Sequence, residues 1–205
     1  MFHATILASE LLQITREGAD ISFPVSDSEM LMWLNSVEQK LYSEIIQEER
    51  EKTLTGIEAD AVIPYTSLGS ASDESVPEER DILIVTADHE ELEHVSAGGG
   101  VIWHAGQTPV WYGTTSGIKI DLEDNPDEVK IAYTVRPVLY TMENKSTEYV
   151  HMVPEFVPML VSKLKGELYR LANEDGQAAK WFADYNQELE TFKVWAERHC
   201  RHYGV

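Results

Sequence analysis

The feature that most constrains this chain is a double change in the spacing of its apolar residues. To about residue 54 they recur at steps of three and four. From 55 to 145 they fall in short β-branched and aromatic runs, and from 146 the helical steps return. A period near 3.6 buries one face of a helix and a period of two buries one face of a strand. The chain is therefore expected to be helical at both ends and β-rich between them.

In the first section, Ala4 to Arg16 reads as a short amphipathic helix with Ile6, Leu7, Leu11 and Ile14 on one side and Gly18 past its end. A second helix is capped by Ser26 or Asp27, with Glu29 in its first turn. Met30, Leu34, Val37, Leu41 and Ile45 form its buried stripe, and Glu48, Glu49, Arg50, Glu51 and Lys52 read as its solvated last stretch.

The middle section predicts five or six short strands at Asp81–Val85, Val101–His104, Val110–Tyr112, Ile118–Leu122 and Val129–Val135. Turn chemistry separates them at Gly98-Gly99-Gly100, Gly113, Gly117 and Asp124-Asn125-Pro126-Asp127. In the last section Pro154 suits a first helical turn. Val157, Leu160, Val161, Leu164, Leu168 and Leu171 then share one face. Asn173-Glu174-Asp175-Gly176 is a tight break before a helix with Trp181 or Phe182, Tyr185, Leu189, Phe192 and Ala196 in register. So short a link makes an antiparallel helical hairpin. Neither helical section can bury an apolar face alone. The expected fold is thus α+β: a bundle of two N-terminal helices and a C-terminal hairpin (residues 1–54 and 146–205), with an inserted antiparallel β-barrel or sandwich (residues 55–145).

Charge excludes some functions. Sixteen Lys and Arg against thirty-six Asp and Glu leave a net −20, and residues 54–130 alone carry sixteen acids and three bases. Nucleic-acid binding rests on neutralising phosphates, so a sequence-specific reader is excluded. A wall around nucleic acid that does not grip it is compatible with such a surface. The start, Met1-Phe2-His3-Ala4-Thr5, lacks the basic region of a secretory signal, and no uncharged apolar run reaches the roughly 18 residues that span a bilayer. An aqueous compartment without a membrane association is expected. The lone Cys200 allows no intrachain disulfide and points to a reducing compartment.

No motif supplies a catalytic constellation. His89, His94 and His104 match no zinc spacing, and His199 and His202 share a helical face without further ligands. Basic residues near a helix end more commonly complement its dipole. The three glycines at 98–100 precede a strand, where a hairpin turn is the ordinary reading and a phosphate cradle is not. Ser67, Ser70, Ser72 and Ser75 lie in a polar stretch without a nucleophile elbow. A catalytic site, a metal and a cofactor are therefore not expected. Trp33, Trp181 and Trp195 read as helix packing, whereas Trp103, Trp111 and Tyr112 leave open a small-ligand pocket in the β section.

One stretch carries a resemblance. A strand runs into Arg136-Pro137, followed by Val153-Pro154-Glu155-Phe156-Val157, Leu160-Val161 with Lys163-Leu164, and Leu168-Tyr169 with Leu171-Ala172-Asn173-Glu174-Asp175-Gly176. Ala178-Ala179-Lys180-Trp181-Phe182, Tyr185 and Glu188-Leu189 close it, and Glu29 to Glu38 stands where an early helix belongs. This order resembles head-to-tail adaptor (connector) proteins of tailed bacteriophages. The resemblance implies a structural protein of the virion neck, assembled in the host cytoplasm as a ring of about twelve copies. It further implies a portal protein above, a tail or stopper protein below, and DNA passing through the lumen without specific binding. The C-terminal residues Arg198, His199, Arg201, His202, Tyr203, Gly204 and Val205 would then contact the portal. The size and acidity of the β section depart from the pattern. Another neck or tail-completion protein, or a cellular β-barrel that binds a small ligand, are the alternative readings.

Overall fold

Ser26 accepts the backbone N–H of Glu29 at 3.2 Å, and the Glu29 carboxylate returns to the Ser26 N–H at 3.4 Å. This reciprocal cap starts helix α2, Asp27–Leu41. The computed structural model describes residues 2, 4–17, 19, 24–68, 74–95 and 109–200. The chain divides into two units, Met1–Gln47 with Pro137–Val205, and Glu48–Arg136.

In the first unit, α1 spans Ala8–Glu17 and so begins later than its periodicity suggests. The residues before it are taken by another partner: Ala4 N–H donates to the Val150 carbonyl at 2.8 Å, and Val150 N–H to that of Ile6 at 3.0 Å. Helix α2 passes into a π-helical turn, Tyr42–Ile46, and Gln47 ends it in the left-handed region at φ 45°. Pro154–Phe156 forms a 3₁₀ turn that opens α3, Val157–Leu171. Helix α4, Asp175–His199, follows a turn in which Asn173 adopts φ 58°. Asp175 and Gly176, expected in the break, already belong to α4.

Leu11, Leu12, Met30, Leu34, Leu41, Leu160, Leu164, Leu168 and Phe192 fill one apolar core of this unit. α3 and α4 pack tightly at Gly166, where an added Cβ would lie 2.5 Å from Cε1 of Phe182. Leu171, expected on the buried face of α3, is exposed at its end. In α4 only Ala178, Phe192 and Ala196 are buried, so this long helix lies at the outside of its unit.

The second unit holds two four-stranded sheets. The first runs β1-β8-β3-β4 and the second β2-β7-β6-β5. The strands are β1 Glu49–Thr55, β2 Val62–Pro64, β3 Ile82–Ala87, β4 Glu90–Glu91, β5 Glu93–His94, β6 Val110–Gly113, β7 Gly117–Asp121 and β8 Glu128–Thr134. Strand β8 buries Val129, Ile131 and Tyr133 by strict alternation, and β6 and β7 bury Trp111, Ile118 and Ile120. The arrangement is sandwich-like and no closed barrel forms among the described residues. Pairing is antiparallel except between β5 and β6, which run parallel.

Residues 49–52 correct the sequence reading, which made them the end of a helix. They pair along β8, Glu49 with Thr134 through Lys52 with Ile131. Their charged side chains are exposed, so no apolar alternation marks the strand, and the ladder partner decides its state. The strand expected at 101–104, the glycines at 98–100, Trp103 and His104 lie outside the described residues.

Candidate functional site

After β8 the chain returns to the helical unit through residues 137–152, and the polar side of α2 holds this return segment. Asn35 pairs with the backbone of Tyr140 in both directions, donating to its carbonyl at 2.9 Å and accepting its N–H at 2.8 Å. Gln39 donates to the Pro137 carbonyl at 2.7 Å. Between them lies buried Glu38, whose Oε2 accepts the Tyr140 hydroxyl at 2.7 Å. The same hydroxyl lies 2.6 Å from Nδ1 of His151 and accepts that residue's backbone N–H at 2.9 Å. Burial, and then the Glu38 charge, push the Tyr140 phenol upward and keep its proton in place. At the other end Asp27 takes an ion pair from Lys145 and another from Arg16. The Lys145 hydrogen bond, with Arg16 adding to it, holds the Asp27 carboxyl below its ordinary range against the opposing effect of burial.

The hairpin has two different flanks. On one, the Lys163 ammonium lies over the rings of Phe182 and Tyr185, and burial, then the Glu44 charge, raise the Tyr185 phenol. On the other, α1, α3 and α4 enclose an open groove of about 630 Å³ lined by Ile14, Val157, Val161, Trp181, Asp184 and Glu188 among others. Lys165 and Lys180 lie over the Trp181 ring. Burial, and then repulsion from Asp184, raise the Glu188 carboxyl. Its Oε2 is buried with no hydrogen-bond partner among the described residues. Near the end of α4, Phe2, Phe156, Phe192 and Trp195 form an aromatic cluster with centroids 5.0–5.8 Å apart.

Of the expected terminal residues, Arg198 and His199 occupy the last turn of α4. His199 stacks on Trp195 at 4.7 Å, with Nδ1 2.8 Å from the Trp195 carbonyl. Arg201, His202, Tyr203, Gly204 and Val205 lie outside the described residues. The two described histidines of the β unit do not converge. His94 stacks on Trp111 at 4.1 Å and meets Glu79 at 3.1 Å, while His89 faces Glu128 at 3.9 Å. Among the described residues no three His, Cys, Asp or Glu side chains are placed to hold a metal ion. None of the described helices is long and apolar enough to cross a membrane.

The sequence reading missed two sets of residues. Asn35, Glu38 and Gln39 line one edge of the α2 stripe, and three polar residues at helical spacing beside Leu34, Val37 and Leu41 were the available signal. Asp184 and Glu188 share a face of α4, but nothing local separates them from other solvated acids.

The acids concentrate in the β unit: Glu48–Arg136 contains nineteen acidic and six basic residues. Some are tied internally. Arg136 meets Asp81 at 2.5 Å and Glu78 at 3.6 Å, and Arg50 lies between Glu48 and Glu74 at 2.5 and 3.3 Å.

No curated protein sequence matches the chain. The family model of the SU10 adaptor protein matches residues 6–202, which takes in both helical sections and the whole β insertion. That family is structural, and its association is with phage portal and tail components. By a match across nearly its entire length, the chain belongs to the SU10 adaptor protein family of phage head-to-tail adaptors.

Proposed function

We propose that this chain forms a ring of about twelve copies beneath the portal of a tailed phage, prolonging the DNA channel and seating the tail. The single observation that carries the reading is the family match over residues 6–202. The bundle units make the side-to-side contacts, and the terminal residues Arg198–Val205 reach the portal. The place of Arg198 and His199 supports this, at the end of a long outer helix that its own unit leaves mostly uncovered. Acidic side chains of the ring line the lumen. The net −20 supports that role, because a like-charged wall gives phosphates nothing to neutralise and lets the genome slide. The protein works in the virion neck after assembly in the host cytoplasm.

A localised cryo-EM reconstruction of the neck in virus particles tests the reading. The expected result is a ring of this chain against the portal with carboxylates facing the DNA. A complete neck with no density for the chain overturns the whole reading. A ring with a neutral or basic lumen overturns the sliding role alone.

A further inference from the structure

A ring built from one kind of chain needs two different, complementary patches on each copy, because a head-to-tail contact cannot use the same patch twice. At −20 per chain the copies repel, so the contact has to match a cation to an acid locally. The helical unit carries such a pair of patches, a groove beside the α3–α4 seam and the outward face of α2.

The first patch is the groove. Its floor is apolar, with Val157, Val161 and Trp181, and Ile14 at its edge is 47% exposed. One end carries Asp184 and Glu188, and a buried oxygen of Glu188 has no hydrogen-bond partner among the described residues. The second patch is the outward face of α2. Met32, Ser36 and Lys40 follow at four-residue steps and are all exposed, Met32 at 60%. Lys40 makes a loose surface pair with Glu44 at 3.8 Å. The π-helical turn that carries Glu44, directly after α2, packs against α4.

The spacings agree as well. Met32 to Lys40 spans about 12 Å of helix and Trp181 to Glu188 about 10 Å. An apolar side chain and an ammonium at that separation meet an apolar floor and a carboxylate pair in the same order.

We infer that the groove between α1, α3 and α4 of one copy receives the Met32–Lys40 face of α2 from a second copy, with Lys40 reaching Asp184 and Glu188. This contact rests on the ring reading above and supplies its neighbour interface.

Charge reversal in assembled necks tests it. Lys40→Glu and Glu188→Lys are each expected to lower incorporation into neck rings at least about tenfold. The purified variants should keep the circular dichroism and melting of the unaltered chain. The double variant Lys40→Glu/Glu188→Lys is expected to recover incorporation to within about threefold. If Glu188→Lys lowers the melting temperature, Asp184→Lys with Lys40→Glu carries the same test. Single variants that assemble like the unaltered chain, or a double variant no better than the singles, overturn the inference. Unaltered particles that contain no ring of this chain overturn the proposed function beneath it instead.

Discussion

The hydroxyl of Tyr140 donates to Oε2 of Glu38 at 2.7 Å in a place where both side chains are almost wholly buried. The oxygen also accepts the backbone N–H of His151 and lies 2.6 Å from Nδ1 of that residue. With its own proton spent on Glu38, it leaves the short Nδ1 contact to be made by a proton on that ring nitrogen. One hydroxyl thus connects α2 to both ends of the return segment.

Removing that hydroxyl leaves a buried carboxylate and a buried imidazole without their common partner. Tyr140→Phe is expected to cost about 3 kcal/mol of unfolding free energy, read from urea melts. A loss below about 1 kcal/mol means the segment is held elsewhere.

Asp27 makes stability depend on pH in a definite direction. Its carboxyl is lowered in the folded chain, chiefly by Lys145 and then by Arg16. A group with a lowered folded pKa stabilises above its unfolded value, and the contribution is lost as pH falls through the folded one. Asp27→Asn should cost about 1–2 kcal/mol at neutral pH. The gap between variant and unaltered chain should then narrow steadily in acid. Urea midpoints of both proteins measured across the acid range check this, and a gap that stays constant refutes the assignment.

Gly166 lets α3 and α4 close on one another. An alanine there gains helix propensity, about 1 kcal/mol. It also drives a methyl to 2.5 Å from the Phe182 ring. Overpacking costs more than the propensity returns, so Gly166→Ala is expected to destabilise by about 1 kcal/mol net. Combining it with Phe182→Ala should turn the sign of the Gly166→Ala step, a double-mutant cycle that thermal melts can read.

Gly117 meets backbone, which cannot turn aside as a side chain can. A Cβ there would lie 2.1 Å from the carbonyl oxygen of Ile63, the residue next to its β2–β7 ladder partner Pro64. Gly117→Ala is expected to cost about 3 kcal/mol or more and to separate β2 from β7. Amide exchange at Tyr65 and Ile120, which donate to the Ser116 and Ala61 carbonyls, reports on that ladder, and full protection in the variant contradicts the expectation.

Much of this was legible in the sequence because burial leaves a period. Met30, Leu34, Val37 and Leu41 fall on the core side of α2, and Val129, Ile131 and Tyr133 on that of β8. The capping box at Ser26 and Glu29 could be read from four residues. β1 could not be read, because both its faces are exposed and only a partner far along the chain makes it a strand. The late start of α1 had the same origin in Val150. The Glu38, Tyr140 and His151 cluster was hidden for another reason. Its members are separated by as many as 113 positions only in the sense of the chain, and nothing in the local pattern of any one of them announces the others.

Glu49 pairs with Thr134, so the strand that leaves the helical unit and the strand that returns to it are neighbours. Their Cα atoms are about 5 Å apart, the width of a single antiparallel pair. To the bundle, the insertion is therefore a hairpin stem, and joining α2 to the return segment needs no more loop closure than a short turn does. A lineage can lengthen, shorten or replace everything beyond that stem while the helices keep their register. Such a chain can exchange its β module and leave its helical scaffold as it was.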